Sequence, residues 1–156
     1  MVSAVRRARG FTLVELLTTV AIVAVLASVA APAFSSMAEN MRSRSLSSEL
    51  YAALSRTRSE AIKRNAEVEL LPYTAQKWQD GWKIANPSVE GGKLDDHPAV
   101  PGASVTGPAS VVYLANGRVK GDARPAFDIA IGRTGHRCVK VDLAGRPSQT
   151  KTACSP

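Results

Sequence analysis

The sequence predicts an α+β chain in which one long N-terminal α-helix, membrane-spanning in its first half, packs on a small antiparallel β head. Three observations predict it. From Leu16 to Phe34 only Thr18, Thr19, Ser28 and Pro32 interrupt a field of Val, Ala, Leu and Ile, about the ~20 residues that a bilayer core requires. Apolar residues then recur at helical spacing as far as Asn65. Beyond Asn65 the pattern changes to short alternating runs separated by Gly, Asn and Pro. The expected organisation is a leader over 1–10, a transmembrane helix half over 11–34, an amphipathic helix half over 35–65 and a β-rich head over 66–156.

The first ten residues carry Arg6, Arg7 and Arg9 and no acid. Such a basic segment before an apolar run holds its end of the chain in the cytoplasm while the rest is exported. Glu15 stands near the start of the apolar run, and no Lys or Arg lies between Phe11 and Met41. An ionised carboxylate in lipid costs roughly 2.5–3.5 kcal/mol on insertion scales, so it marks a functional site that needs a partner. A plain secretory signal is the competing reading, since Ser28-Val29-Ala30 and Ala31-Pro32-Ala33 offer small residues near the end. An ordinary signal core, however, runs only ~7–15 residues and has no need of a Glu at its start.

These residues carry a resemblance. Arg6-Arg7-Ala8-Arg9-Gly10 followed by Phe11-Thr12-Leu13-Val14-Glu15 and the apolar run to Phe34 resembles the class III signal and first helix of type IV pilins and pseudopilins. The resemblance implies cleavage by a prepilin peptidase after Gly10 and N-methylation of Phe11. It further implies that Glu15 meets the terminal amine of a neighbouring subunit during assembly. Two buried opposite charges relieve each other's desolvation, which agrees with that role. Pro32 falls where the family has its helix-kinking proline. The implied location is the bacterial inner membrane, single-pass with the head in the periplasm, and then a pilus or pseudopilus.

Along the second helix half, Leu46, Leu50, Leu54, Ala61 and Ile62 recur near helical spacing. Arg42, Arg44, Glu49, Arg56, Arg58 and Lys63 occupy the other side. Glu60 is placed to meet Lys63 or Arg64. A helix from Phe11 to about Asn65 would be on the order of 80 Å long. In the head, Glu67 to Tyr73 and Trp82 to Ala85 read as strands linked through Gln76 to Gly81, and Asn86 to Pro108 reads as a long loop rich in Gly, Pro and acids. Ser110 to Leu114 and Arg118 to Lys120 flank the turn pair Asn116-Gly117. Phe127 to Ile131 and Arg137 to Leu143, joined by Gly132 to His136, read as a second hairpin.

The helix end from Ala52 to Asn65, the Trp78 to Trp82 region, the Asn116-Gly117-Arg118 turn and the terminal Ala144-Gly145-Arg146 together resemble minor pilins and pseudopilins of the FimT, FimU and GspH group. Members of that group are structural. The resemblance implies a minor type IV pilin at or near the pilus tip that primes assembly, with other major and minor pilins as partners and with DNA uptake, adhesion or twitching motility as the roles such a pilus serves. A GspH-type minor pseudopilin of a type II secretion system shares every N-terminal feature and stays open beside it.

Cys138 and Cys154 are the two cysteines, both near the end of a segment expected to be exported. Oxidation is the default there, and closing a loop of about fifteen residues would contribute roughly 3 kcal/mol in the chain-entropy model. With only His97 and His136 beside them they show no zinc-ligand spacing. The acid–base cluster, Asp95-Asp96-His97, precedes Pro98 in the loop and reads as a solvated turn. No phosphate-cradling or dinucleotide motif is present. The expectation is therefore a protein with no catalytic residues, no metal and no cofactor.

The chain carries a formal charge of +7. From Arg118 onward, Arg118, Lys120, Arg124, Arg133, Arg137, Lys140, Arg146 and Lys151 face only Asp122, Asp128 and Asp142. Such a patch offers sequence-independent, salt-sensitive contact with double-stranded DNA. FimT-like pilins that serve DNA uptake are similar here, with a C-terminal Gly-Arg-x-Arg motif. In this chain Gly145-Arg146-Pro147-Ser148 keeps only the first Arg, and Lys151 lies at a different position. Arg146, Lys151, Arg137 and Lys140 are the candidate DNA contacts.

Overall fold

In a computed structural model of the protein, residues 11–154 are described; the leader, with Gly10, lies outside the described residues. The chain divides into two compact units at the Ser35–Ser36 boundary, and the helix α1 (Leu13–Arg64) contributes to both.

Thr12 starts α1. Its hydroxyl accepts the backbone N–H of Glu15 at 3.2 Å. Thr12 and Glu15 thus have the spacing of a capping box, in which a first-turn acid also complements the helix dipole. In the first unit the large apolar side chains, Leu13, Leu16, Ile22, Leu26 and Phe34 among them, are exposed. A helix apolar on every side requires lipid or neighbouring helices around it. Pro32 lies inside α1, where its ring removes one intrahelical donor.

α1 ends at Arg64 because Asn65 adopts a left-handed φ of 50°. The N–H of Ala66 returns to the carbonyl of Ala61 at 3.2 Å and that of Asn65 to Ile62 at 3.2 Å, the paired bonds of a Schellman stop. The chain then enters eight strands: β1 (Val68–Thr74), β2 (Lys77–Ala85), β3 (Lys93–His97), β4 (Ala103–Thr106), β5 (Val111–Tyr113), β6 (Ala126–Ile131), β7 (Gly135–Val141) and β8 (Pro147–Thr150). They form two antiparallel sheets in the orders β3-β2-β1-β5 and β4-β6-β7-β8.

The second half of α1 supplies Leu46, Leu50, Ala53, Leu54 and Ala61 to one core, closed by Val68, Leu70 and Ile84 of the first sheet and Phe127, Ile129, Val139 and Val141 of the second. Strand alternation sends these residues to one face. Trp78 joins the sheets: it is fully buried, meets Phe127 edge-on at 4.8 Å and donates its indole N–H to the Pro108 carbonyl at 2.8 Å. Cys138 and Cys154 form a disulfide, which ties the tail beyond β8 back to β7.

Several local expectations change. The segment 86–108 is not one loop: it contains β3 and β4, each an outer strand of its sheet. The proposed link from Gln76 to Gly81 is mostly strand, because β2 starts at Lys77 after a tight turn at Ala75-Gln76. The Asn116-Gly117 turn forms, with the Gly117 N–H bonded to the Leu114 carbonyl at 2.8 Å, but its second arm is reduced to a single bridge between Tyr113 and Val119. Ile62 is half exposed rather than core.

Candidate functional site

Three groups of side chains carry the functional question. The first is the N-terminal pair. Phe11 is exposed and precedes the helix, and Glu15 occupies its first turn. Among the described residues, no hydrogen bond or ion pair engages the Glu15 carboxylate. Its backbone carbonyl accepts the Thr19 hydroxyl at 2.6 Å. The charge therefore sits on an apolar helix with its bonding capacity unused.

The second group is the acid–base cluster, which lies on strand β3 and not on a turn. Asp95 is ion-paired to Arg56 of α1 at 2.6 Å and Asp96 to Lys93 at 2.9 Å. The Asp96 carboxyl is held below its ordinary range, first by the hydrogen bond from Lys93 and then by its charge. His97 stacks on Trp82 with centroids 4.0 Å apart. Its Nε2 lies 2.9 Å from Glu49 Oε2 and its Nδ1 2.8 Å from the Pro98 carbonyl. A cavity of about 250 Å³ opens between this strand and α1. Each polar group of the cluster is engaged in fastening β3 to α1 or to its own strand, and among the described residues lining the cavity there is no Ser, Thr or Cys.

The third group is the set of C-terminal cations, which the fold separates. Arg146 belongs to the β7–β8 turn, where its backbone N–H and its Nε donate to Asp142 at 2.8 and 3.0 Å. Those bonds, the backbone one first, lower the Asp142 carboxyl. Lys120 is paired to Glu67 at 2.8 Å. Lys140 falls three residues from Arg137 on β7 and so projects from the opposite face. Arg137 and Lys151 come together: with Asn40 and Arg44 of α1 and Gln149 and Thr150 of β8 they line a cleft of about 480 Å³. By sequence Arg44 lies on the charged side of α1, and the fold turns it toward β7 and β8. Asn40 and Arg44 share a helix face at i, i+4, the one sequence signal that pointed toward the cleft.

Two segments singled out in the sequence also meet. The Ala144-Gly145-Arg146 turn packs directly on the Asn116-Gly117-Arg118 turn: a Cβ on Gly145 would collide with the Gly117 carbonyl and lie 3.0 Å from the Tyr113 ring. Gly145 also has a φ of +81°, which L side chains avoid. Arg58 of α1 donates its Nε to the same Gly117 carbonyl at 3.0 Å. This junction is structural and accounts for Gly145; Gly117, at a φ of +77°, would bring a Cβ within 2.7 Å of the Ile62 side chain of α1.

Comparison with known proteins agrees with this architecture. Residues 46–145 match the family described as Type II transport protein GspH, and residues 5–31 match the prokaryotic N-terminal methylation motif. Two crystal structures of the type IV minor pilin FimU of Pseudomonas aeruginosa share the fold. One superposes with a TM-score of 0.62 at 22% identity, covering 72% of this chain and 96% of that one. The other gives 0.65 at 22% identity, covering 76% and 95%. No match was found among curated proteins. One long helix on two antiparallel sheets, a family match across most of the head and a methylation motif ahead of the helix lead to one conclusion: the chain belongs to the GspH family, within the FimT, FimU and GspH group of pilins and pseudopilins.

Proposed function

We propose that the chain is a minor pilin, cut by prepilin peptidase between Gly10 and Phe11, that joins other pilins at or near a pilus tip and primes assembly. The observation that carries this reading is the unengaged Glu15 carboxylate on a helix half whose large apolar residues are exposed. In a bundle of such helices the apolar surface finds partners, and Glu15 finds the Phe11 amine of a neighbouring subunit. Opposite charges so placed offset the desolvation that each would suffer alone. Before assembly the same helix half anchors the protein in the inner membrane with its head in the periplasm, where an oxidised Cys138–Cys154 pair is at home. Pro32 provides the point at which the helix bends. The test is Glu15→Val in the producing cell: membrane insertion stays normal and recovery of the subunit in sheared pili falls. Undiminished incorporation of the variant rejects the role of Glu15.

The second reading is a GspH-type minor pseudopilin of a secretion apparatus, favoured by the family match over 46–145. Deleting the gene separates the two, since loss of piliation supports the first and loss of protein secretion with normal pili supports the second. Duplex DNA is a weaker partner, because Lys120 and Arg146 are already paired with Glu67 and Asp142. A gel shift that fades steeply with salt would be its signature.

A further inference from the structure

We propose that the cleft between α1 and the β7–β8 ladder is a binding site for a phosphate group, borne by an anionic phospholipid headgroup. Three cations, Arg44, Arg137 and Lys151, line it together with three neutral polar residues, and no acid does. The ladder between β7 and β8 ends with Cys138 opposite Thr150. Arg137 is the preceding position on β7 and Lys151 directly follows β8, and both line the cleft, so two like charges stand together at the ladder's end. Like charges placed opposite repel and call for a counter-charge.

Among the described residues that line the cleft, none is an acid that could supply it. The Arg137 Nε is buried with no hydrogen-bond partner among the described residues, and a buried unpaired donor is costly. Glu39, one residue before Asn40 on α1, has its carboxylate turned instead to the β6–β7 turn, accepting from the N–H groups of Arg133 and Thr134 and the Thr134 hydroxyl. Gln149 accepts the Ser47 hydroxyl at 3.1 Å through Oε1, which leaves its amide N–H groups as donors for the cleft. A tetrahedral oxyanion satisfies this set: it accepts from guanidinium, ammonium and amide donors at once.

The lipid headgroup is the favoured bearer because Arg42 and Arg44 are the first cations of α1 after the uncharged apolar run. Helical side chains lean toward the N-terminus, and basic residues just beyond a membrane segment are drawn to anionic headgroups. The lipid assignment rests on the membrane anchoring proposed above; the phosphate site itself does not.

The test uses the full mature chain in an uncharged detergent, with the arginine Nε–H signals followed by NMR. Inorganic phosphate, at ionic strength held constant with chloride, shifts the Arg137 Nε–H signal saturably. Lys151→Gln and Arg44→Gln, both at exposed positions, weaken that response about fivefold each. In nanodiscs the same shift appears with phosphatidylglycerol and not with phosphatidylcholine alone. Absence of a saturable response to phosphate, or an equal response in the variants, overturns the site and leaves the membrane reading standing. A phosphate response without one to phosphatidylglycerol, or a response to duplex DNA in its place, overturns the lipid assignment.

Discussion

Glu39 of α1 and Thr134 of the β6–β7 turn are joined twice: one carboxylate oxygen accepts the Thr134 backbone N–H at 3.0 Å and its hydroxyl at 2.8 Å. The same oxygen accepts the Arg133 N–H at 3.0 Å. Gly135 makes the approach possible, since a Cβ there would come within 2.6 Å of the Glu39 carbonyl. One helical side chain thus fixes how the second sheet meets the helix of its own unit.

Because the hydrogen bond from the Thr134 hydroxyl, then that from its N–H, favours the ionised form, the Glu39 carboxyl is held below its ordinary value of 4.5. A group lowered in the folded state stabilises fully above its unfolded value, and that contribution disappears as pH falls through the folded value. Glu39→Gln is therefore expected to lower the melting temperature at pH 7 and to flatten the acid limb of the stability curve below about pH 4.5. Parallel acid limbs in the two proteins would remove Glu39 from this role.

Gly145→Ala adds a Cβ where the Gly117 carbonyl already sits, at a φ of +81°. The expected loss is about 1–3 kcal/mol, from backbone strain and the displaced turn. Gly121→Ala is the control: its φ of +94° carries the strain, but nothing lies within 4 Å of the added atom. Urea midpoints at unchanged slope measure the difference, with the Gly145 variant the less stable.

Leu50 and Leu54 are fully buried where α1 meets the sheets. Replacing either with Ala should destabilise the protein by roughly 2–5 kcal/mol, the range for large-to-small changes in a packed core. The measure is again the denaturation midpoint, and a change below about 0.5 kcal/mol, as at a surface site, would contradict this packing.

The Cys138–Cys154 bridge spans a sequence separation of 16. In the chain-entropy model its reduction costs about 3 kcal/mol. Thermal melts with and without reductant should differ by several degrees, and the double Ser variant should be insensitive to reductant. Coincident melts of the native chain would show that the bridge adds no stability. The Cys154 N–H also ties the tail to the Asp128 carboxylate, at 2.9 Å.

The helix and the second hairpin were legible in the sequence because a single periodicity ran through them. Leu46, Leu50, Leu54 and Ala61 mark one face of α1, and Phe127, Ile129 and Ile131 alternate along β6. β3 was hidden because its Lys-Leu-Asp-Asp-His sequence contains one apolar residue. What makes it a strand is hydrogen bonding to β2 and the reach of Arg56 to Asp95, both tertiary. β8, with Pro147 at its start and exposed polar residues after it, was hidden for the same reason. Of the site, Phe11 and Glu15 could be read locally, as a charge within an apolar run. The phosphate cleft could not, because its cations come from residue 44, residue 137 and residue 151 and only the fold brings them together.

That this chain is processed and assembled as a pilin is tested most directly by the intact mass and N-terminal fragmentation of the mature protein from its native membrane. The account predicts a chain that begins at Phe11 and carries one methyl group on its amine. A chain beginning at Ala31 or Phe34, or one that keeps residues 1–10, would contradict it.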